Sequence, residues 1–246
     1  MSAPATMPAE RGSAPTRGAW LREFWSSSVG KKQIVALTGA VLVLYVIAHM
    51  LGNLKVFQGA GLASGSIDAY AEWIRTAGEP VIPRNGLLWL ARAFLLASFV
   101  VHVVAVTQLA ARNRAARPVG RRPPVIKRSF STRTMQVGGW FLAAFIVFHI
   151  LHFTTGTIDP GSFAEGAVYA NLDAAFDNPA LVAIYVLAAL ALGFHLRHAI
   201  WSFFQTGGWD KPNRNPTLRR GASFVAVAVT AGFVAVPVAF WTGVIG

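Results

Sequence analysis

The residues with chemical potential are the six histidines: His49, His102, His149, His152, His195 and His198. Imidazole near neutrality can carry protons or donate a lone pair to a metal. The chain has no cysteine. Disulfides, thiolate zinc sites and iron–sulfur clusters held by this chain alone are therefore excluded. Every histidine lies within a long apolar stretch, and none lies in a connection. Ionisable side chains within membrane helices are costly and usually functional.

The elements that must position these rings follow from composition. Of 246 residues, 54% are hydrophobic and only 13% charged. A soluble domain carries about a quarter charged residues. Five stretches reach the roughly 20 apolar residues needed to cross a bilayer. They run approximately 33–53, 86–111, 135–154, 179–206 and 222–244. The expected fold is all-α, an integral membrane bundle of five transmembrane helices occupying 33–246. Residues 1–18, rich in Ser, Ala, Pro, Thr and Gly, are expected to form a disordered tail. Residues 19–32 carry Trp20, Leu21, Phe24 and Trp25 among charges, which suits a cytoplasmic interfacial helix. A short helix over Ile67–Thr76, opened by Ser66, is expected in the first outer loop.

The formal net charge is +12. Its distribution orients the chain. Arg11, Arg17, Arg22, Lys31 and Lys32 precede the first span. A basic run from Arg112 to Arg133 fills the second connection, and Lys211, Arg214, Arg219 and Arg220 fill the last. The opposite connections hold only Lys55, Arg75 and Arg84. The positive-inside rule puts the N-terminus in the cytoplasm and the C-terminus outside. The basic excess reads as an orientation signal beside lipid and as a docking surface; no nucleic-acid partner is expected.

On that topology the histidines fall at two heights. His49 and His149 lie at similar depths in the outer half of the first and third spans. His102 and His195 match in the inner half of the second and fourth. Two neutral imidazoles facing each other across a helical bundle form an axial ligand set for haem iron. Gly39, Gly138, Gly139 and Gly193 would let a flat macrocycle approach the backbone. A zinc ion bound by four His fits two separate layers poorly. Arg92 and Arg197, with His198, are candidate partners for haem propionates; snorkelling is the alternative for the arginines. Spacing alone does not decide between His149 and His152, nor between His195 and His198; depth favours His149 and His195.

The stretch SVGKKQIVALTGAVLVLYVIAHMLGNLKVF, Ser28 to Phe57, resembles the opening of the cytochrome b membrane-anchor subunit of succinate dehydrogenase, in its single-chain, five-span, two-haem form. So do GFHLRHAIWSFFQTGGW, from Gly193, and IDAYAEW in the first outer loop. The resemblance implies a bacterial plasma-membrane protein with two haem b groups. His49 and His149 would hold the outer haem, and His102 and His195 the inner one. The ligand four residues before a small residue, here Ala199, selects His195; members often have Gly there. The implied partners are a flavoprotein subunit, an iron–sulfur subunit and a quinone, menaquinone in this form, with or without a further small membrane subunit. The succinate half-reaction would belong to the flavoprotein. Glu72 sits where some two-haem relatives place an acid implicated in quinone chemistry, with Asp68 and Tyr70 beside it. By analogy with other quinone reductases, an inner quinone site would use Ser27, Ser28 or Lys32. Other readings are one His pair serving a non-haem centre shared with a partner chain, a dihaem cytochrome serving another dehydrogenase, and a His-relay transporter.

Overall fold

The computed structural model describes residues 17–116, 130–159, 161, 163–210 and 215–246. The side chains of Arg17 and of residues 130–134 are not described. Residues 1–16 of the expected tail, much of the basic second connection, and Lys211 and Arg214 lie outside the described residues.

The described chain is helical and has no strand. The helices are α1 (Arg17–Ser26), α2 (Ser28–Asn53), α3 (Ile67–Thr76), α4 (Gly86–Ala115), α5 (Phe130–Phe153), α6 (Val168–Phe176), α7 (Pro179–Thr206) and α8 (Pro216–Trp241). Among the described residues, α2, α4, α5, α7 and α8 are long and apolar enough to cross a membrane. Their backbone groups bond within each helix, which hydrocarbon requires.

Local chemistry sets the ends. The hydroxyl of Ser27 accepts the Gly30 N–H at 2.8 Å. That cap starts α2 and separates it from α1. The segment 19–32 is thus divided between two helices. The helix there ends at Ser26, and Ser28 to Lys32 form the first turn of the first long helix. Asn178 caps α7, with Pro179 in the first helical turn where its missing N–H costs nothing. Asn215 and Pro216 open α8 in the same manner, six residues earlier than the apolar pattern indicates.

Two cations fasten the junction of α1 and α2 to α4. Lys31 is 1% exposed. Its Nζ donates to the Trp25 carbonyl and to Gln108 Oε1, both at 2.6 Å, and lies 4.4 Å from the Trp25 ring centre. Arg112 donates to the Ser26 carbonyl. A buried ammonium persists only with such partners. Lys31 is thus a clamp, unlike the solvated cation its sequence neighbourhood suggests.

The tightest helix pair is α7 with α8, and α2 packs on α4, α7 and α8, while α5 packs on α7. The α2, α7 and α8 seam is filled by Met50, Leu196, Ala226 and Val229. A second cluster joins α6, α7 and α8 to the turn after α2, through Val56, Ile67, Leu172, Phe176, Val182, Val236 and Phe240. Close approach depends on glycine at two points. A Cβ on Gly193 would stand 2.2 Å from Thr230 Oγ1. On Gly232 it would stand 2.5 Å from Met50 Sδ. Stripes of small residues permit such contact between membrane helices.

Replacing Gly193 by leucine is expected to push α7 from α8. The cost expected of overpacking is about 1–3 kcal/mol. Thermal midpoints in detergent should fall for Gly193→Leu and stay near wild type for Gly221→Ala, where a Cβ would meet nothing within 4 Å.

Candidate functional site: paired histidines between non-neighbouring helices

The four spans α2, α4, α5 and α7 each contribute to the histidine set. Neither α2 and α5 nor α4 and α7 pack closely on each other. Each expected pair therefore reaches between helices that are not backbone neighbours.

The outer pair meets directly. The rings of His49 and His149 lie 5.8 Å apart, centre to centre, with their planes at 73°. Aromatic rings hold them. Tyr45 stacks on His49 at 5.4 Å, Phe233 tilts against it at 5.9 Å, and Phe145 stacks on His149 at 5.9 Å. His152 is turned elsewhere. It is 4% exposed, stacks on Phe153 at 4.2 Å, and its Nδ1 lies 2.9 Å from the Tyr185 hydroxyl. The same hydroxyl lies 3.4 Å from His149 Nδ1. Of the two histidines that spacing left open on α5, His149 is the one facing its counterpart on α2.

His102 and His195 are within electrostatic reach of one another. Each leans on a glycine of a neighbouring helix. A Cβ on Gly39 would lie 3.3 Å from His102 Cε1, and one on Gly139 would lie 3.7 Å from His195 Cε1. Two of the four glycines singled out by sequence thus sit under the histidine rings. Gly193 instead serves the contact with α8, and Gly138 faces open space.

Hydrogen bonding specifies His102. The Thr38 hydroxyl donates to the Ile34 carbonyl at 2.7 Å. Its oxygen is then an acceptor for His102 Nδ1–H at 3.1 Å. With its hydrogen on Nδ1 the ring would carry its lone pair on Nε2, the arrangement typical of a metal-ligating histidine, and the ring also hydrogen-bonds to the Val35 main chain. His195 Nδ1 is buried with no hydrogen-bond partner, as is His198 Nδ1. Leaving such an atom unsatisfied costs about 1–3 kcal/mol. His198 packs edge-on against Trp201 at 6.0 Å. His195 has the glycine beside it and His102 within reach, which favours it as the inner α7 donor.

These features fit haem at both levels: two-nitrogen donor sets, a free or unpartnered nitrogen in the inner pair, and glycines beneath the rings. Among the described residues no three His, Asp or Glu side chains converge as a metal cluster would require. Two donors per site is the count that axial ligation uses. Arg92 lies over the Trp89 ring at 4.9 Å and near Tyr45, which places it by the outer pair. No acid pairs with it among the described residues. Arg197 is exposed and donates through Nε to Ser223 of α8 at 2.9 Å.

The outer-loop acids are engaged in the fold. Asp68 accepts the Gly61 N–H at 2.9 Å and the Tyr169 N–H at 3.0 Å, joining α3 to α6. Both oxygens of Glu72 accept from Arg84 at 2.8 Å. Tyr70 covers Gly52 at the end of α2 and stacks with Trp73 at 6.0 Å. The three residues thus hold the loop over the outer end of α2. Lys32, Ser27 and Ser28 are exposed at the α1–α2 junction, away from the clamped Lys31. Tyr185 and Thr38 are site residues that sequence reasoning missed. The available signal was a hydroxyl inside an apolar span, since buried Tyr O–H groups usually find a partner.

Comparison with family models, with curated proteins and with solved structures finds no match to this chain.

The hydrogen bonds from Arg84 and its charge hold the Glu72 carboxyl below its usual range. The stabilising contribution is complete above the unfolded value near 4.5 and is lost as pH falls through the lowered folded value. Thermal midpoints of wild type and Glu72→Gln should therefore converge as pH drops from about 5 towards 3. Since the pair is exposed, the difference should be small and should shrink in salt.

Proposed function

We propose that this chain is the membrane-anchor and electron-transfer subunit of a succinate:quinone oxidoreductase, with two bis-histidine haem b sites, one above the other. The meeting of His49 with His149 carries this reading, with the approach of His102 to His195 and the Thr38 hydroxyl beside His102 Nδ1 in support. Four helices supply the four imidazoles, and neither pair's helices pack closely on each other.

Haem b, when bound, supplies one-electron exchange at iron. The chain's own part is to hold and tune. Thr38 fixes the His102 tautomer, and Gly39 and Gly139 leave room beside the imidazoles. Arg92 supplies an unpaired cation near the outer level, where a propionate would otherwise be an uncompensated charge. Partners in this proposal are a flavoprotein subunit, an iron–sulfur subunit and a membrane quinone, menaquinone by resemblance. The Glu72–Arg84 pair and the doubly engaged Asp68 support a loop-locking role for these acids more than a proton-handling role at a quinone.

A second reading has one observation in its favour. The run His152, Tyr185, His149 is a hydrogen-bonded series suited to a proton-relaying membrane protein. Haem content separates the two.

Purified with its membrane partners, the wild-type chain should give two haem b per chain by pyridine haemochrome assay. His49→Ala or His149→Ala should remove one haem, and His102→Ala or His195→Ala the other. His152→Ala and His198→Ala should keep both. A preparation without haem would overturn the proposal. Two haems without a co-purifying flavoprotein would move the chain to a different dehydrogenase.

A further inference from the structure

His152 and Tyr185 have no assigned part in the two haem sites, yet they are buried beside one of them. The hydroxyl of Tyr185 has one hydrogen and two lone pairs to share between two imidazoles. It lies 2.9 Å from His152 Nδ1 and 3.4 Å from His149 Nδ1. Two neutral arrangements satisfy all three groups. In one, His149 Nδ1–H donates to Tyr185, and Tyr185 donates to His152 Nδ1. His152 then carries its hydrogen on Nε2, and the His149 Nε2 lone pair is free. In the other every hydrogen is reversed, and His149 Nε2 is protonated and unable to ligate.

The surroundings of His152 discriminate between them. His152 lines a small open pocket with Phe153, Asp159, Phe163 and Asn171. The Asn171 side chain is already committed, donating to the Ala164 carbonyl at 2.8 Å and accepting the Ala164 N–H at 2.9 Å. The Asp159 carboxyl lines the same pocket and is near enough to act on His152 electrostatically. A carboxylate there favours the tautomer with hydrogen on His152 Nε2. That selects the first arrangement.

From this geometry we infer that Asp159, His152 and Tyr185 form a positioning relay that keeps the hydrogen of His149 on Nδ1 and so presents its Nε2 to iron. The inference rests on the reading in which His149 ligates a haem. Neither His152 nor Tyr185 touches the iron in this scheme; both act through His149. Among the described residues the inner pair has no such relay, because its corresponding hydroxyl, Thr38, donates to a main-chain carbonyl within its own helix.

The test compares the wild-type complex with Tyr185→Phe and His152→Gln, each assembled with its partners. Readouts are haem per chain, the ferric low-spin electron paramagnetic resonance signals, and an optical redox titration. The relay requires both variants to retain two haems, to shift the signal and midpoint potential of one haem, and to leave the other in place. The shifted haem must be the one lost in His149→Ala. Wild-type signals and potentials at both haems in the variants would overturn the relay while leaving the haem reading intact. Failure of both variants to assemble would also overturn it, since a positioning role is not a folding role. A wild-type complex without haem would instead remove the underlying reading.

Discussion

An imidazole inside a membrane bundle has two nitrogens and no water to satisfy them. Each nitrogen must find a hydroxyl, a carbonyl, another ring or a metal, because an unpaired polar group in hydrocarbon costs several kcal/mol. The arrangement of the bundle follows that demand. Thr38 takes one nitrogen of His102, and Tyr185 is shared by His149 and His152. What remains unpartnered, at His195 and His198, is concentrated on the α7 face.

The end of the bundle that carries the α2–α4 loop is closed by a different kind of contact. The loop between α2 and α4 is held to α6 by Asp68, to itself by Glu72 and Arg84, and to the end of α2 by Tyr70 on Gly52. The hydroxyl of Ser66, bonded to the Gly61 carbonyl, caps α3 by accepting the Ala69 N–H at 3.2 Å. The apolar cluster around Phe176 and Phe240 lies beneath. This cover limits access to the outer histidines from that side. Tyr45, 43% exposed on the flank of α2, is the histidine-stacked residue most open to the membrane. On the proposed reading, a quinone reaching the outer level would more readily come along the α2 flank than through the loop.

Much of this was legible in the sequence, and the reasons are physical. Spans are long sums over apolar residues, so single substitutions barely disturb them, and α7 runs over Pro179–Thr206 as expected. Ser66 opens α3 where the capping pattern placed it. What was not legible depends on contacts between residues far apart in the chain. Lys31 looks like one more basic residue near a span until Gln108 and the Trp25 carbonyl are seen around its ammonium. Helix α6 is short, and burial of Asn171, Leu172, Ala175 and Phe176 stabilises it more than any periodic pattern readable in advance. Tyr185 is one aromatic among many in an apolar helix. Its role exists only because α5 brings two imidazoles to its hydroxyl.

The two histidine pairs are therefore unequal in a way their matching depths conceal. The outer rings touch, sit among Tyr45, Phe145 and Phe233, and are bonded to a shared phenol. The inner rings each lie by a glycine, with a threonine at His102 Nδ1 and no hydrogen-bond partner at His195 Nδ1 among the described residues. Hydrogen bonds to the distal nitrogen of a ligating histidine raise its basicity and change the electron density at the metal. If both pairs hold the same cofactor, the difference in their hydrogen bonding makes the two centres electronically distinct.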